Sequence, residues 1–218
     1  MTAKKILIIG TGAQSKYALE TFQLLGRDVL GILTLPGEDC RVPALMERII
    51  GSLDELDKVY RDGDQPEILL ATSSNHKKEE FTGDLQSYHP SYASAIHPAA
   101  IIASSATLGH GLIVNANAVV QPFATVGSHC MIHAGTIIEH DCTVADFVNI
   151  APRATLAGYV KIGQGTTVCA GAVVIPTIKI GRHAAIGAGA VVTSDVADYQ
   201  KVAGVPARII GITRDMQT

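Results

Sequence analysis

The residue types best suited to chemistry stand together at Glu139-His140-Asp141. An imidazole has an unperturbed pKa of about 6.5, so near neutrality it can take up a proton and return it within one reaction. A carboxylate beside it orients the ring and makes it more basic, which is what a general base requires. Seven other histidines are present, His76, His89, His97, His110, His129, His133 and His183. Residue type alone therefore does not single out His140; its place in the chain does.

That place is set by a repeat. From Ala95 to Val196 the chain divides into seventeen six-residue units without an insertion, and the second residue of each is Ile, Leu or Val, from Ile96 through Ile138 to Val192. Four residues after that place the side chain is mostly small, as at Ala106, Ala118, Ala124, Cys130, Thr136, Cys142, Ala154, Ala172, Ala184 and Ala190. A period this short is one strand and a corner, and such units bury their apolar positions only by stacking on their neighbours. Three strands close one coil, with coils about 4.8 Å apart. Gly109, Asn115, Gly127, Gly163, Gly181 and Gly187 are expected at the corners, where tight bends call for unusual dihedrals. With Ile138 and Cys142 turned inward, Glu139, His140 and Asp141 are carried on the outer surface and corner of a rigid coil.

Ahead of the coil, Lys4 to Gly10 reads as a buried parallel strand, followed by a glycine turn and a helix over 16–25. Further strands are expected at 29–33 and 67–71, and helices at 53–60 and 76–88. Strands alternating with helices predict a small parallel βαβ domain. The turn Gly10-Thr11-Gly12-Ala13-Gln14-Ser15 is a dinucleotide fingerprint that lacks its last glycine, where Ser15 stands. Such a turn aims backbone N–H groups at an anion and suits a diphosphate. It serves equally to pack strand against helix. A domain of this size is one mononucleotide-sized half of a Rossmann sheet and excludes a whole NAD. At the end of the third strand, Ala71 to Lys78 offers small polar groups for a base or ribose, or else a helix N-cap. The expected domains are therefore 1–94, 95–196 and a tail, 197–218, that the Gly204-Val205-Pro206 segment folds back on the coil and that frays from Thr213.

Composition narrows the function. The 17 basic and 20 acidic residues nearly balance and form no basic run, which excludes nucleic acid as a partner. The apolar run Ile6 to Ile9 is too short for a signal peptide or a membrane span, and the expected location is cytoplasmic. Cys40, Cys130, Cys142 and Cys169 show no CxxC spacing and read as fillers in a reducing compartment.

The repeat resembles that of the hexapeptide-repeat acyltransferases, which implies a left-handed parallel β-helix and a trimer. γ-Type carbonic anhydrases, nucleotidyltransferase tails and structural solenoids share the repeat. The carbonic anhydrases hold zinc with three histidines, two of them about five residues apart; Ile138 stands five residues beyond His133, so the set is incomplete and no metal is expected. The βαβ domain, the Ile138-Glu139-His140-Asp141-Cys142 segment and the Gly204-Val205-Pro206-Ala207-Arg208 ending together resemble the nucleotide-sugar N-acetyltransferases of the bacillosamine and perosamine type, close to the sialic acid O-acetyltransferases. The resemblance implies that His140 deprotonates the C4 amine of a UDP-linked 4-amino-4,6-dideoxy sugar and that Asp141 raises its basicity. It implies a Gly158 N–H facing the oxyanion, acetyl-CoA against Asn149, Gly158, Ala170 and Ala188, and nucleotide against Gly12, Ala13, Gln14, Thr34, Leu35 and Ser73. It also implies active sites between subunits of a homotrimer. GDP- or dTDP-linked amino sugars, O-acetylation of a sialic acid and a non-catalytic nucleotide-binding solenoid are the alternatives. Three departures stand out: Asn149 replaces a second histidine of some relatives, His133-Ala134 replaces Asn-Thr, and Thr34-Leu35 replaces an Asp-Asp pair.

Overall fold

A computed structural model describes residues 4–38, 40, 42–61 and 65–213; Met1 to Ala3 and the end of the expected frayed tail, 214–218, lie outside the described residues. The chain forms two compact units, 1–98 and 99–218.

The first unit runs β1 (Ile6–Ile9), α1 (Ala13–Leu24), β2 (Val29–Thr34), α2 (Pro43–Met46), β3 (Ile49–Ser52), α3 (Leu56–Arg61), β4 (Glu67–Leu70), α4 (Asn75–Asp84) and β5 (Ser91–Tyr92). All five strands are parallel, in the order β3-β2-β1-β4-β5. The near-continuous apolar sequence of β1 fits burial on both faces, and all four of its residues are fully inaccessible. Leu7, Ile9, Leu33, Leu35, Leu56, Ile68, Leu70, Phe81 and Leu85 form one core cluster. The strand order reverses at the β1–β4 boundary, and there the two carboxyl ends crowd together. A Cβ on Gly10 would lie 2.9 Å from the Ala71 carbonyl oxygen, and Gly10 has a φ of +113°. Only glycine fits that place. β3 and β5 were not expected from the sequence. Both are short, and β3 is only partly buried, so neither carries an apolar run.

In the second unit the strands of the coil are two residues long and fall on three faces. One face stacks Ile101–Ile102, Val119–Val120, Ile137–Ile138, Thr155–Leu156, Val173–Val174 and Val191–Val192 in parallel. The second runs from Thr107–Leu108 to Lys179–Ile180, and the third includes Met131–Ile132, Asn149–Ile150, Thr167–Val168 and Ala185–Ile186. Val120 pairs with Ile138 and Ile138 with Leu156, the eighteen-residue coil read from the repeat. Gln200–Ala203 adds a parallel strand beside Ala185–Ile186, and Arg208–Ile212 returns antiparallel to it.

The small inward side chains include thiols and hydroxyls because each finds a carbonyl in the next coil. Cys130 and Cys142 donate to Ala145 O and Ala157 O at 3.1 Å, and Thr166 Oγ1 donates to Gly181 O at 2.7 Å. Burial pushes the Cys142 thiol up to about 11, so it stays a protonated donor. All four cysteines are free thiols.

The glycines expected to supply unusual dihedrals do something else. Gly109, Gly127, Gly163 and Gly181 do not have positive φ; each faces the backbone of the next coil, where a Cβ would lie 2.4 to 2.7 Å from main-chain atoms. The left-handed residues are two places further on, as at Asp141, Tyr159, Gly165, Gly171 and Gly189. A methyl at Gly163 would sit 2.6 Å from Arg182 N and Gly181 C, main-chain atoms that cannot swing aside. Gly163→Ala is therefore expected to cost about 1–3 kcal/mol by overpacking and to lower the thermal midpoint by several degrees. Gly83→Ala in α4, where a Cβ meets nothing within 4 Å, should hold or raise it. Differential scanning calorimetry of the two variants checks both outcomes.

Candidate active site

The strand Ile137–Ile138 ends where Glu139 N donates to Leu156 O at 2.9 Å, and the chain then turns the corner through His140 and Asp141. In successive coils the column at His140 reads Pro122, His140, Gly158, Pro176. Proline has no N–H, so the fold makes no use of the N–H at this place. The corner is held instead by the carbonyls of this column, which accept from Asp141 N (to Pro122 O, 3.2 Å), Tyr159 N (to His140 O, 3.1 Å) and Thr177 N (to Gly158 O, 3.0 Å). The Gly158 N–H consequently donates to no acceptor among the described residues.

Asp141 occupies the left-handed corner with a φ of +58°, a conformation that Asp tolerates better than most residues. From there its Oδ2 lies 2.8 Å from His140 Nδ1. An ionised carboxylate only accepts, so this contact places the ring proton on Nδ1 and leaves Nε2 with a free lone pair. The side chains are 50% and 36% exposed, open enough for a substrate to reach Nε2. Two neighbours in the next coil fix the ring. A Cβ on Gly158 would lie 2.8 Å from both Cε1 and Nε2 of His140, so the imidazole rests where only glycine leaves room. Tyr159 meets the ring edge-to-face, centroids 5.3 Å apart.

Asn149, Ala170 and Ala188 form a separate group on the third face and its corner. Asn149 opens its strand with a buried Oδ1 that has no hydrogen-bond partner among the described residues. Ala170 and Ala188 are exposed in consecutive coils, joined by Gly189 N donating to Ala170 O at 2.9 Å, and the adjoining Gly171 and Gly189 leave a ledge without side chains. Within one protomer the face carrying Ile137–Ile138 separates this group from His140.

In the first unit, Gly12 is the N-cap of α1, with Ala13 exposed beside it. Gln14 is buried, and its Oε1 has no partner among the described residues. Ser15, in place of the missing glycine, is fully buried and donates to Gly10 O at 2.6 Å, tying strand to helix. Thr34 ends β2 half-buried, whereas the Leu35 side chain is 2% exposed in the core and offers a ligand only its backbone. Ser73 is exposed, and Ser74 caps α4 by accepting from Lys77 N at 3.3 Å, the helix-cap alternative of the sequence reading. Sequence reasoning passed over Glu38. Its Oε2 accepts from Thr11 N (2.9 Å), Thr11 Oγ1 (3.0 Å) and Leu35 N (3.2 Å), so the turn after β1 already holds an anion of its own.

Among the described residues no group of three or more His, Cys, Asp or Glu side chains could hold a metal ion, and no helix is long and apolar enough to cross a membrane. Residues 123–158 and 159–194 match the family described as bacterial transferase hexapeptide (six repeats). No curated protein matches the chain. Among solved structures, a histidine-to-asparagine variant of perosamine N-acetyltransferase from Caulobacter crescentus, in complex with CoA and GDP-perosamine, is 28% identical; the match covers 96% of this chain and 98% of that one, with a TM-score of 0.89. The acetyltransferase domain of PglB from Neisseria gonorrhoeae FA1090, in complex with acetyl coenzyme A, is 29% identical over 95% and 99%, with a TM-score of 0.86. WeeI from Acinetobacter baumannii AYE, 20% identical over 95% and 100%, shares the fold at a TM-score of 0.68. The coil is thus a left-handed parallel β-helix, residues 123–194 carry the hexapeptide-transferase repeat, and the chain is an acyltransferase.

Proposed function

We propose that the protein is an acetyl-CoA-dependent N-acetyltransferase that acetylates the amine of a nucleotide-linked 4-amino-4,6-dideoxy sugar, working as a homotrimer with active sites between subunits. The observation that carries this reading is the His140–Asp141 pair seated over Gly158. Asp141 holds the Nδ1 proton, so His140 Nε2 accepts the proton that the amine loses as its nitrogen bonds to the thioester carbon. The unused Gly158 N–H faces the oxygen on which negative charge gathers. As the carbon–sulfur bond breaks, His140 returns its proton to the departing sulfur, and no acetyl group is ever held by the protein. Asn149, with its spare acceptor, and the bare ledge at Ala170 and Ala188 suit the amide-rich pantetheine chain, contributed by the neighbouring subunit to this His140. Gly12, Ala13, Gln14, Thr34, the Leu35 backbone and Ser73 are the proposed nucleotide contacts.

The sequence reading favoured a UDP sugar; the likeness to an enzyme bound to GDP-perosamine over nearly the whole chain supports the GDP-linked alternative. Glu38 sets a separate limit, because a carboxylate on Thr11 N–H repels a diphosphate from that turn and leaves it to hydroxyl or ring N–H donors, whichever base the nucleotide carries. Protein, acetyl-CoA and each of the UDP-, GDP- and dTDP-linked 4-amino-4,6-dideoxy sugars are mixed and free thiol is followed. Thiol release with one nucleotide sugar well above the others is the expected result. Release with none, or only with a hydroxyl acceptor such as a sialic acid, overturns the reading.

A further inference from the structure

We propose that Phe123 and Tyr159 are the walls of the acceptor subsite and recognise the apolar, 6-deoxy face of the sugar; this rests on the reading above and adds a specificity determinant to it. Both residues occupy the left-handed corner column of Asp141, one coil before and one coil after it, with φ of +61° and +65°. The fold does not ask for aromatic rings there, since Thr177 fills the same place one coil later. Most of each ring is left open: Phe123 is 67% exposed, and Tyr159, which touches the His140 ring with one edge, is 54% exposed.

Their position bears directly on the substrate. The Tyr159 ring lies 5.3 Å from that of His140. A group that gives its proton to His140 Nε2 sits about 3 Å from that atom, so the atoms bonded to it fall within van der Waals reach of Tyr159. Two coils separate Phe123 from Tyr159, about 10 Å at the usual strand spacing. Asp141 fills the coil between them, so the two rings flank the His140–Asp141 corner, and a sugar lying over that corner meets one ring on each side. Walls of this kind favour a methyl at C6 over a hydroxymethyl, because the added hydroxyl loses water without gaining a partner.

The test uses the full-length chain and measures binding, so it does not depend on turnover. Calorimetric affinities are compared for two nucleotide-linked 4-amino sugars that differ only at C6, methyl against hydroxymethyl, and thiol release is followed in parallel. The wild type is expected to prefer the 6-deoxy sugar by about 10–100-fold. Tyr159→Ala and Phe123→Ala should each reduce the preference to a few-fold and weaken the 6-deoxy sugar about tenfold, with acetyl-CoA affinity unchanged. Tyr159→Phe should restore the preference. Binding discrimination without thiol release would sink the catalytic reading and leave this one standing. Equal affinity of the wild type for both sugars, or alanine variants that keep the preference, overturns it. So does dissociation of the alanine variants by sedimentation at concentrations where the wild type stays assembled, since the rings would then belong to a subunit contact.

Discussion

Replacing His140 by asparagine should lower kcat by about 10²–10⁴, the usual worth of a positioned general base, while acetyl-CoA affinity stays within a few-fold of the wild type. Asparagine is nearly isosteric with the near half of the imidazole and keeps a hydrogen bond to Asp141 possible, so the corner should survive. It cannot accept a proton at neutral pH. The carbonyls that hold the corner belong to Pro122, His140 and Gly158 main chain and are untouched by the change. The melting transition should therefore match that of the wild type, and the loss should fall on turnover. The proposed contacts to acetyl-CoA at Asn149, Ala170 and Ala188 lie across a face of the prism from His140 in the same protomer, so binding of the cosubstrate has no reason to fail with the base. Steady-state thiol release and isothermal titration with acetyl-CoA measure the two quantities. Turnover within threefold of the wild type removes His140 from the reaction, and loss of acetyl-CoA binding gives the histidine a structural role instead.

The coil was readable because its signal is global. An aliphatic residue at every second place through seventeen units leaves one way to bury them, and the observed eighteen-residue register follows from it. The corners were not readable in the same way. Their left-handed places carry Phe123, Asp141, Tyr159, Arg153 and His183 as well as glycines, side chains that ordinarily argue against such a conformation. The glycines that stood out in the sequence, such as Gly127 and Gly163, serve close approach between coils. In the first unit, β1, β2 and β4 announced themselves by apolar runs, whereas β3 holds its place by pairing with β2 and carries almost no pattern. The candidate site divides along the same line. His140 and Asp141 adjoin in sequence and could be paired by inspection. Tyr159 and the clearance at Gly158 reach His140 only because residues eighteen apart are stacked. Glu38 escaped notice because it lies in the loop beyond β2, and only the fold returns its carboxylate to Thr11.

Gly158→Ala is the sharper test of that stacking, since it adds one methyl and removes no functional group. The new Cβ would lie 2.8 Å from Cε1 and Nε2 of His140, well inside contact distance. The obstacle is a half-exposed side chain, not backbone, so the imidazole gives way by rotating off its seat and the coil is spared. The thermal midpoint should consequently stay close to that of the wild type, in contrast to Gly163→Ala, where the added methyl meets main chain. Turnover should not be spared. A displacement of about 1 Å in a reacting group can cost roughly 10²-fold, and here the base moves away from the Gly158 N–H. An expected loss of kcat of about 100-fold with an unshifted melting transition would show that the ring must rest on Gly158 to act. Alanine at this position with nearly full turnover would mean that the His140 seat is incidental, and the pairing of base and backbone donor at this corner would have to be abandoned.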